Sequence, residues 1–267
     1  MSESLVRVHE EGPLYIVTLA RAAKRNALTL EMTESIAEAV CGVDRAPGCR
    51  AVVVEAEGPV FSAGIDVMSL VQHKMETGDQ HPARALRRMA ERMQAALNRI
   101  EQTEVPVIGA LHGKVIGMGL ELALAFDFRI ASEELELSLP ETRLGLIADV
   151  GGTTRLTKLV GPSRTKDLLM TARTMGAPEA LTWGLVNRMV PTGEAGHGAR
   201  ALALEIAKNA PLAVGLAKFV VDNGDGVDRH TQMVIERLAQ SQLAMSEDLG
   251  EAMSAFMERR TPNFRGQ

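Results

Sequence analysis

Three carboxylates stand where a protein core would normally avoid them. Glu121 sits among Gly, Met, Leu and Ala in VIGMGLELAL, residues 115–124. Glu141 and Asp149 lie eight residues apart in LSLPETRLGLIADVGG, residues 137–152. An unpaired buried charge is costly, so acids on apolar stretches point to buried pairing or to proton transfer. Glu121 reads either way. Glu141 follows Pro140, which suits the first turn of a short helix. Asp149 precedes Gly151 and Gly152 and reads as a third acid of the same site or as the cap of the helix TTRLTKL.

Two turns of small residues could serve those acids. In EGPVFSAGIDVMSL, residues 57–70, Ser62, Ala63 and Gly64 let the backbone approach a ligand closely, or form an ordinary strand-to-helix turn capped by Asp66. Gly117 and Gly119 open a helical run. A helix N-terminus offers unpaired amides and the positive end of the dipole, which suits a developing oxyanion; tight helix-on-strand packing explains the same glycines. The third Gly and following acid of a dinucleotide fingerprint are missing. The six histidines lack metal-type spacing, and there is no H-E-x-x-H, Walker loop or G-x-S-x-G elbow.

These residues must be positioned by strands and helices. Leu14–Ala20, Arg50–Gly58 and Val105–Leu111 read as strands, the last two buried on both faces because their apolar residues do not alternate. Short strands are expected at Phe128–Ala131, Leu135–Leu139 and Val186–Val190. Thr29 suits the cap of a helix through LTLEMTESIAEAVCGV. Ala83–Gln102 is an amphipathic helix with Leu86, Met89, Ala90, Met93, Ala96, Leu97 and Ile100 on one face, and Arg84, Arg87, Arg88 and Arg92 as a solvated face. The polar loop before it, Glu76–Ala83, is expected to be mobile. Strands alternating with helices predict an α/β fold with mainly parallel pairing. Short helices follow Gly151, and the chain reads as helical from Glu194 on. A boundary is expected near residue 200, giving a core of 1–200 and a helical region of 201–267 that packs on the body or on a neighbouring subunit.

Composition narrows the partners. The chain has 267 residues, 46% hydrophobic and 24% charged, which suits a soluble globular protein with a sizeable core. A net charge of -5 argues against a general nucleic-acid binder. No apolar run is long enough to span a membrane, and the N-terminus does not resemble a signal peptide. Cys41 and Cys49 have no metal or redox spacing and read as reduced thiols, so a cytoplasmic location is expected.

The order of the motifs resembles the crotonase, or enoyl-CoA hydratase/isomerase, superfamily over nearly the whole chain. The resemblance is carried by KRNAL (24–28), FSAGID (61–66), GMGLELALAFDFRIAS (117–132), LPETRLGL (139–146), GGTTRLTKLVG (151–161), TARTMGAPEALTWGLVNRMVP (171–191) and FMERRTPNFRG (256–266). It implies a spiral of β-β-α units with a helical C-terminal region that builds trimers or dimers of trimers. It implies an acyl-CoA thioester substrate, with coenzyme A as part of the substrate and no separate cofactor or metal. It assigns the oxyanion hole to the backbone N–H groups of Ala63 and Met118, where many members have Gly at the second position. Glu121 and Glu141 match the two hydratase glutamates; Asp149 matches an acid of the dienoyl-CoA isomerases, whose first acid is usually Asp where this chain has Glu121. Lys24, Arg25, Ser62, Gly64, Ile65, Asp66 and Gly117 are implied substrate contacts, although Lys24 and Arg25 also read as plain surface charge. Hydration of a 2-enoyl-CoA is the expected activity. Isomerisation of 3,5-dienoyl-CoA to 2,4-dienoyl-CoA is the alternative, and a non-catalytic binding protein is the reading of another class.

Overall fold

A computed structural model describes residues 4–46, 48–69, 81–224 and 226–267. The expected mobile loop falls largely on residues 76–80, outside the described residues. The main sheet runs in the order β1 (Val6–Glu11), β2 (Leu14–Leu19), β3 (Ala51–Ala56), β4 (Val107–Leu111), β6 (Phe128–Ser132) and β9 (Arg188–Val190). β1 and β2 form an antiparallel hairpin, and every later neighbour pairs in parallel. A second sheet joins β5 (Lys114–Ile116), β7 (Glu136–Ser138) and β8 (Met175–Gly176). β1 is nearly all exposed, so VRVHEE carries no buried alternation by which sequence could reveal it.

The unbroken apolar runs of β2, β3 and β4 arise because both faces are covered. Val17, Leu19, Val52, Val54, Val107 and Leu111 point into the larger core, with helix α1 (Leu30–Cys41) and helix α2 (Pro82–Glu101). Leu14, Ile16, Ala51, Val53, Ile108 and Ala110 enter a second cluster with Ala195, Ala199, Leu202 and Ala203. Those four belong to one helix, Ala195–Ile206. The boundary expected at residue 200 therefore falls inside a core helix, and no described residue of either cluster lies beyond Ile206.

α1 starts as the sequence predicts: the Thr29 side chain accepts from Met32 N at 3.1 Å. On α2, Met89, Ala90, Met93, Ala96, Leu97 and Ile100 are buried, but Leu86, one turn earlier on the same stripe, is 43% exposed. The arginines are exposed as expected, and Arg92 forms a forked pair with Glu34 of α1. Next in chain order come α3 (Met118–Ala123), α4 (Gly152–Val160), α5 (Pro162–Thr171), α6 (Ala177–Trp183) and α7, the Ala195–Ile206 helix. Helices α8 (Pro211–Gly224), α9 (Arg229–Leu243) and α10 (Glu247–Glu258) complete the chain. α8 is tied to the body by a largely buried ion pair, Lys218 Nζ to Asp127 Oδ2 at 2.8 Å. The final segment folds back: Asp248 accepts from the amides of Arg265 and Gly266, and Arg50 donates to Phe264 O.

Candidate active site

The turn after β3 is knitted to the segment before α1. Asn26 is fully buried; its Nδ2 donates to Glu57 O and Val60 O, and its Oδ1 accepts from Arg21 N. Ser62 Oγ donates to Asn26 O and accepts from Gly64 N. The remaining amides of the turn show which can face a ligand. Ser62 N donates to Lys114 O, Ala63 N to Arg25 O at 2.9 Å, and Asp66 N to Leu28 O. Within residues 62–66, Ile65 N alone has no acceptor among the described residues. The oxyanion assignment to Ala63 is therefore corrected: its N–H is held by Arg25 O, and the amide left open is that of Ile65.

The second amide comes from the turn into α3. Gly117 has φ +52° and ψ -122°, a backbone state that side-chain-bearing residues rarely adopt. Its N–H donates to Ser138 O, and its carbonyl accepts from Leu120 N and Glu121 N. Met118, the first helical residue, keeps an amide with no acceptor among the described residues, as helix geometry requires. The two turns touch: a Cβ on Gly64 would lie 2.7 Å from Ile116 O and 3.8 Å from Met118 N. The open amides of Ile65 and Met118 thus belong to adjoining turns.

The carboxylates gather beside these turns. Glu121 is 3% exposed, and its Oε1 accepts from Val150 N at 2.7 Å and Gly152 N at 2.9 Å. Burial pushes its carboxyl up to about 7 against the pull of those two amides, and the charges of Glu141 and Asp149 push the same way. Glu141 opens a 3₁₀ turn after Pro140, and a Cβ on Gly117 would lie 2.5 Å from its Oε1. Its Oε2 is buried and has no hydrogen-bond partner among the described residues. Burial raises its carboxyl, helped by the charge of Asp149. Asp149 does not cap α4: the N-cap is Gly151, with no side-chain hydrogen bond. Nor is Asp149 enclosed, for it is exposed, as are Leu146 and Ile147 beside it. Surrounding protein still raises its carboxyl, an effect that weighs less here than at the buried Glu121.

A cleft of about 650 Å³ runs along the first turn, lined among others by Arg21, Lys24, Ala63, Ile65, Asp66 and Met89. Ile65 is in its lining, whereas Met118 and the three acids are not. Lys24 is exposed at its wall; Arg25 is exposed but outside it, and serves the turn through its carbonyl. Ser62 is fully buried, and its hydroxyl is engaged by Asn26 O and Gly64 N, so it shapes the turn. Asp66 likewise holds structure. One oxygen pairs with Arg21 at 2.7 Å, which keeps its carboxyl below the usual range, and the other accepts from Met68 N and Ser69 N. Among the described residues, no group of three or more His, Cys, Asp or Glu is placed to hold a metal ion.

A mainly parallel main sheet and a small mixed sheet, which bring open backbone amides beside the buried Glu121 and the half-buried Glu141, define a crotonase-type α/β protein. The chain belongs to the enoyl-CoA hydratase/isomerase family, whose model matches residues 9–267. It is 34% identical to carnitinyl-CoA dehydratase of Salmonella typhi, over all of both chains. It is 35% identical to a probable mitochondrial enoyl-CoA hydratase 2 of Arabidopsis thaliana, over 94% of this chain and 81% of that one. Among solved structures, the enoyl-CoA hydratase of Bacillus anthracis superposes with a TM-score of 0.91 at 33% identity, over 99% of this chain and 100% of that one.

Proposed function

We propose that this protein is an enoyl-CoA hydratase that adds water across the double bond of a 2-enoyl-CoA thioester. The observation that carries the reading is the buried, partnerless Oε2 of Glu141, packed against Gly117 and within the electrostatic reach of Glu121. The thioester oxygen takes the amides of Ile65 and Met118. Each donor aimed at the enolate oxygen supplies ~3 kcal/mol of transition-state stabilisation. Polarising that carbonyl makes the beta carbon electrophilic. One glutamate takes a proton as water oxygen bonds to the beta carbon; the other gives a proton to the alpha carbon as the enolate collapses. The dehydration in the Salmonella relative's name is this step reversed. Lys24, on the cleft wall, suits a phosphate of coenzyme A, with Arg25 as a second basic contact near the mouth. Loss of catalysis would free Glu121 and Glu141 to change, and the chain keeps both, so a non-catalytic binding role is disfavoured.

A second reading rests on Asp149, an acid that caps nothing and whose charge acts on both glutamates. Moving two double bonds into conjugation needs a proton removed at the alpha carbon and one delivered four carbons further on, where such an acid would serve. Asp149→Asn should leave crotonyl-CoA hydration within about threefold of the parent and abolish any 3,5-dienoyl-CoA isomerisation, where general-acid loss costs ~10²–10⁴-fold. Product mass and absorbance read both reactions, since hydration adds the mass of water and isomerisation adds nothing. Hydration lost with isomerisation untouched would refute this role for Asp149.

The protein is proposed to assemble as a trimer or a dimer of trimers. Phe219, Val221, Leu238, Met253, Phe256 and Met257 of α8, α9 and α10 are each more than half exposed, large apolar side chains of the kind a subunit interface covers. Light scattering at micromolar concentration should give three or six times the 28.7 kDa chain mass; a monomeric mass would refute the assembly. No helix among the described residues is long and apolar enough to cross a membrane.

A further inference from the structure

Glu121 is held by two peptide units, and each has its carbonyl engaged from outside the site. The Gly152 amide that donates to Glu121 shares its peptide with Gly151 O, which accepts from Arg155 N inside α4 at 2.8 Å. The Val150 amide shares its peptide with Asp149 O, which accepts from Gln94 Nε2 at 2.6 Å. The first arrangement is built into a helix. The second hangs on one exposed side chain of α2. The same face of α2 carries Asn98 and Glu101, which hold the Arg155 guanidinium, and that guanidinium donates to Val150 O. Three side chains of α2 therefore brace the segment that grips the acid.

We propose that Gln94 is a positioning residue for Glu121, acting through the single peptide unit between Asp149 and Val150. A donor on a peptide carbonyl polarises the peptide and strengthens the bond made by its N–H. A stronger Val150 N–H bond favours the charged carboxylate over the neutral acid. The charged groups that face Glu121 are Glu141 and Asp149, both acidic. On α4, packed against α3, Arg155 is paired with Glu101; on β5, Lys114 is exposed and paired with Glu136. No cation competes with the peptide for Glu121 among these groups, so the two amides are what hold its proton affinity down. Gln94 touches no reacting atom.

The inference rests on Glu121 being a proton-handling residue of the proposed reaction, yet its test does not depend on which reaction that is. Glutamate labelled with ¹³C at the side-chain carboxyl gives a Glu121 signal identified by its loss in Glu121→Gln. That signal is titrated in the full-length parent, in Gln94→Met, which keeps the shape and removes the donor, and in Gln94→Lys, which restores one. The Glu121 midpoint should rise by about half a pH unit in Gln94→Met and return to or below the parent value in Gln94→Lys. The Glu121-controlled limb of the pH–kcat profile with crotonyl-CoA should move by the same amount, with KM little changed. An unmoved midpoint in Gln94→Met overturns the proposal. So does an equal upward shift in both variants, since that would mark loss of packing and not of a donor. A shifted midpoint in a protein that does not turn over crotonyl-CoA would uphold Gln94 and count against the hydratase reading alone.

Discussion

Glu121→Gln and Glu141→Gln should each lower kcat for crotonyl-CoA hydration by ~10²–10⁴-fold while leaving the fold intact. The fold survives at residue 121 because a Gln oxygen can still accept from Val150 N and Gly152 N. At residue 141 it survives because the lost Oε2 has no bond to lose. The double variant should be little worse than the poorer single one, because groups that act together in one transition state are not additive. Either single variant retaining activity within tenfold of the parent would remove that acid from the mechanism. Glu121 carries a second readout in stability. Its carboxyl sits at about 7 in the fold against an ordinary 4.5, so the native state binds this proton more tightly than the unfolded chain does. Stability from this group is full below pH 4.5 and is lost as pH rises through about 7, by about 3 kcal/mol at most. Gln cannot ionise, so Glu121→Gln should gain melting temperature relative to the parent between pH 5 and pH 8. A melting difference that is flat across that range would mean the carboxyl is not perturbed by burial.

Replacing the backbone amide of Ile65 with an ester should lower kcat by ~10²–10³-fold, the cost of one oxyanion donor. The exchange is made by incorporating the α-hydroxy acid that corresponds to Ile; it removes the N–H and keeps the side chain. The same exchange at Ala63 should leave kcat nearly unchanged and instead cost stability, about 1 kcal/mol for one lost hydrogen bond. The contrast follows from direction. Ala63 N points at Arg25 O, and Ile65 N finds no acceptor among the described residues. At Met118 the ester should behave as at Ile65, since that amide heads α3 and has no acceptor among the described residues. A catalytic loss at Ala63 with none at Ile65 would restore the assignment that motif matching made first.

How much of this was readable from sequence depends on which physical signal each feature leaves. β3 and β4 were legible because burial on both faces leaves unbroken Val and Ile runs. The packed face of α2 was legible from its period, apart from Leu86, which lies one turn before Met89 and Ala90, where burial on this helix begins. β1 was not, because an exposed edge strand needs no apolar residues. β5 and β8 were not, because three and two residues are too short to show a period. The boundary at residue 200 went astray because helical spacing cannot say whether an apolar face meets its own sheet or a neighbour; Leu202 and Ala203 meet the sheet.

The sequence by itself determined the family, the order of the motifs and the acids Glu121 and Glu141, because side-chain identity is what those features consist of. It also marked two turns of small residues as places where backbone could serve a ligand. Only the tertiary structure decided which amide of the first turn is open. An N–H is the same group in every residue, and its availability depends on whether a distant carbonyl such as that of Arg25 lies in front of it. Tertiary structure likewise showed that the side-chain oxygens of Ser62 and Asp66 are engaged by local partners. It also denied Asp149 its role as a helix cap and left it at an exposed rim, and it put Gln94 of α2 behind the peptide that grips Glu121. These are relations between segments far apart in the chain, set by where the sheets and α2 bring them, and residue type and spacing hold no record of them.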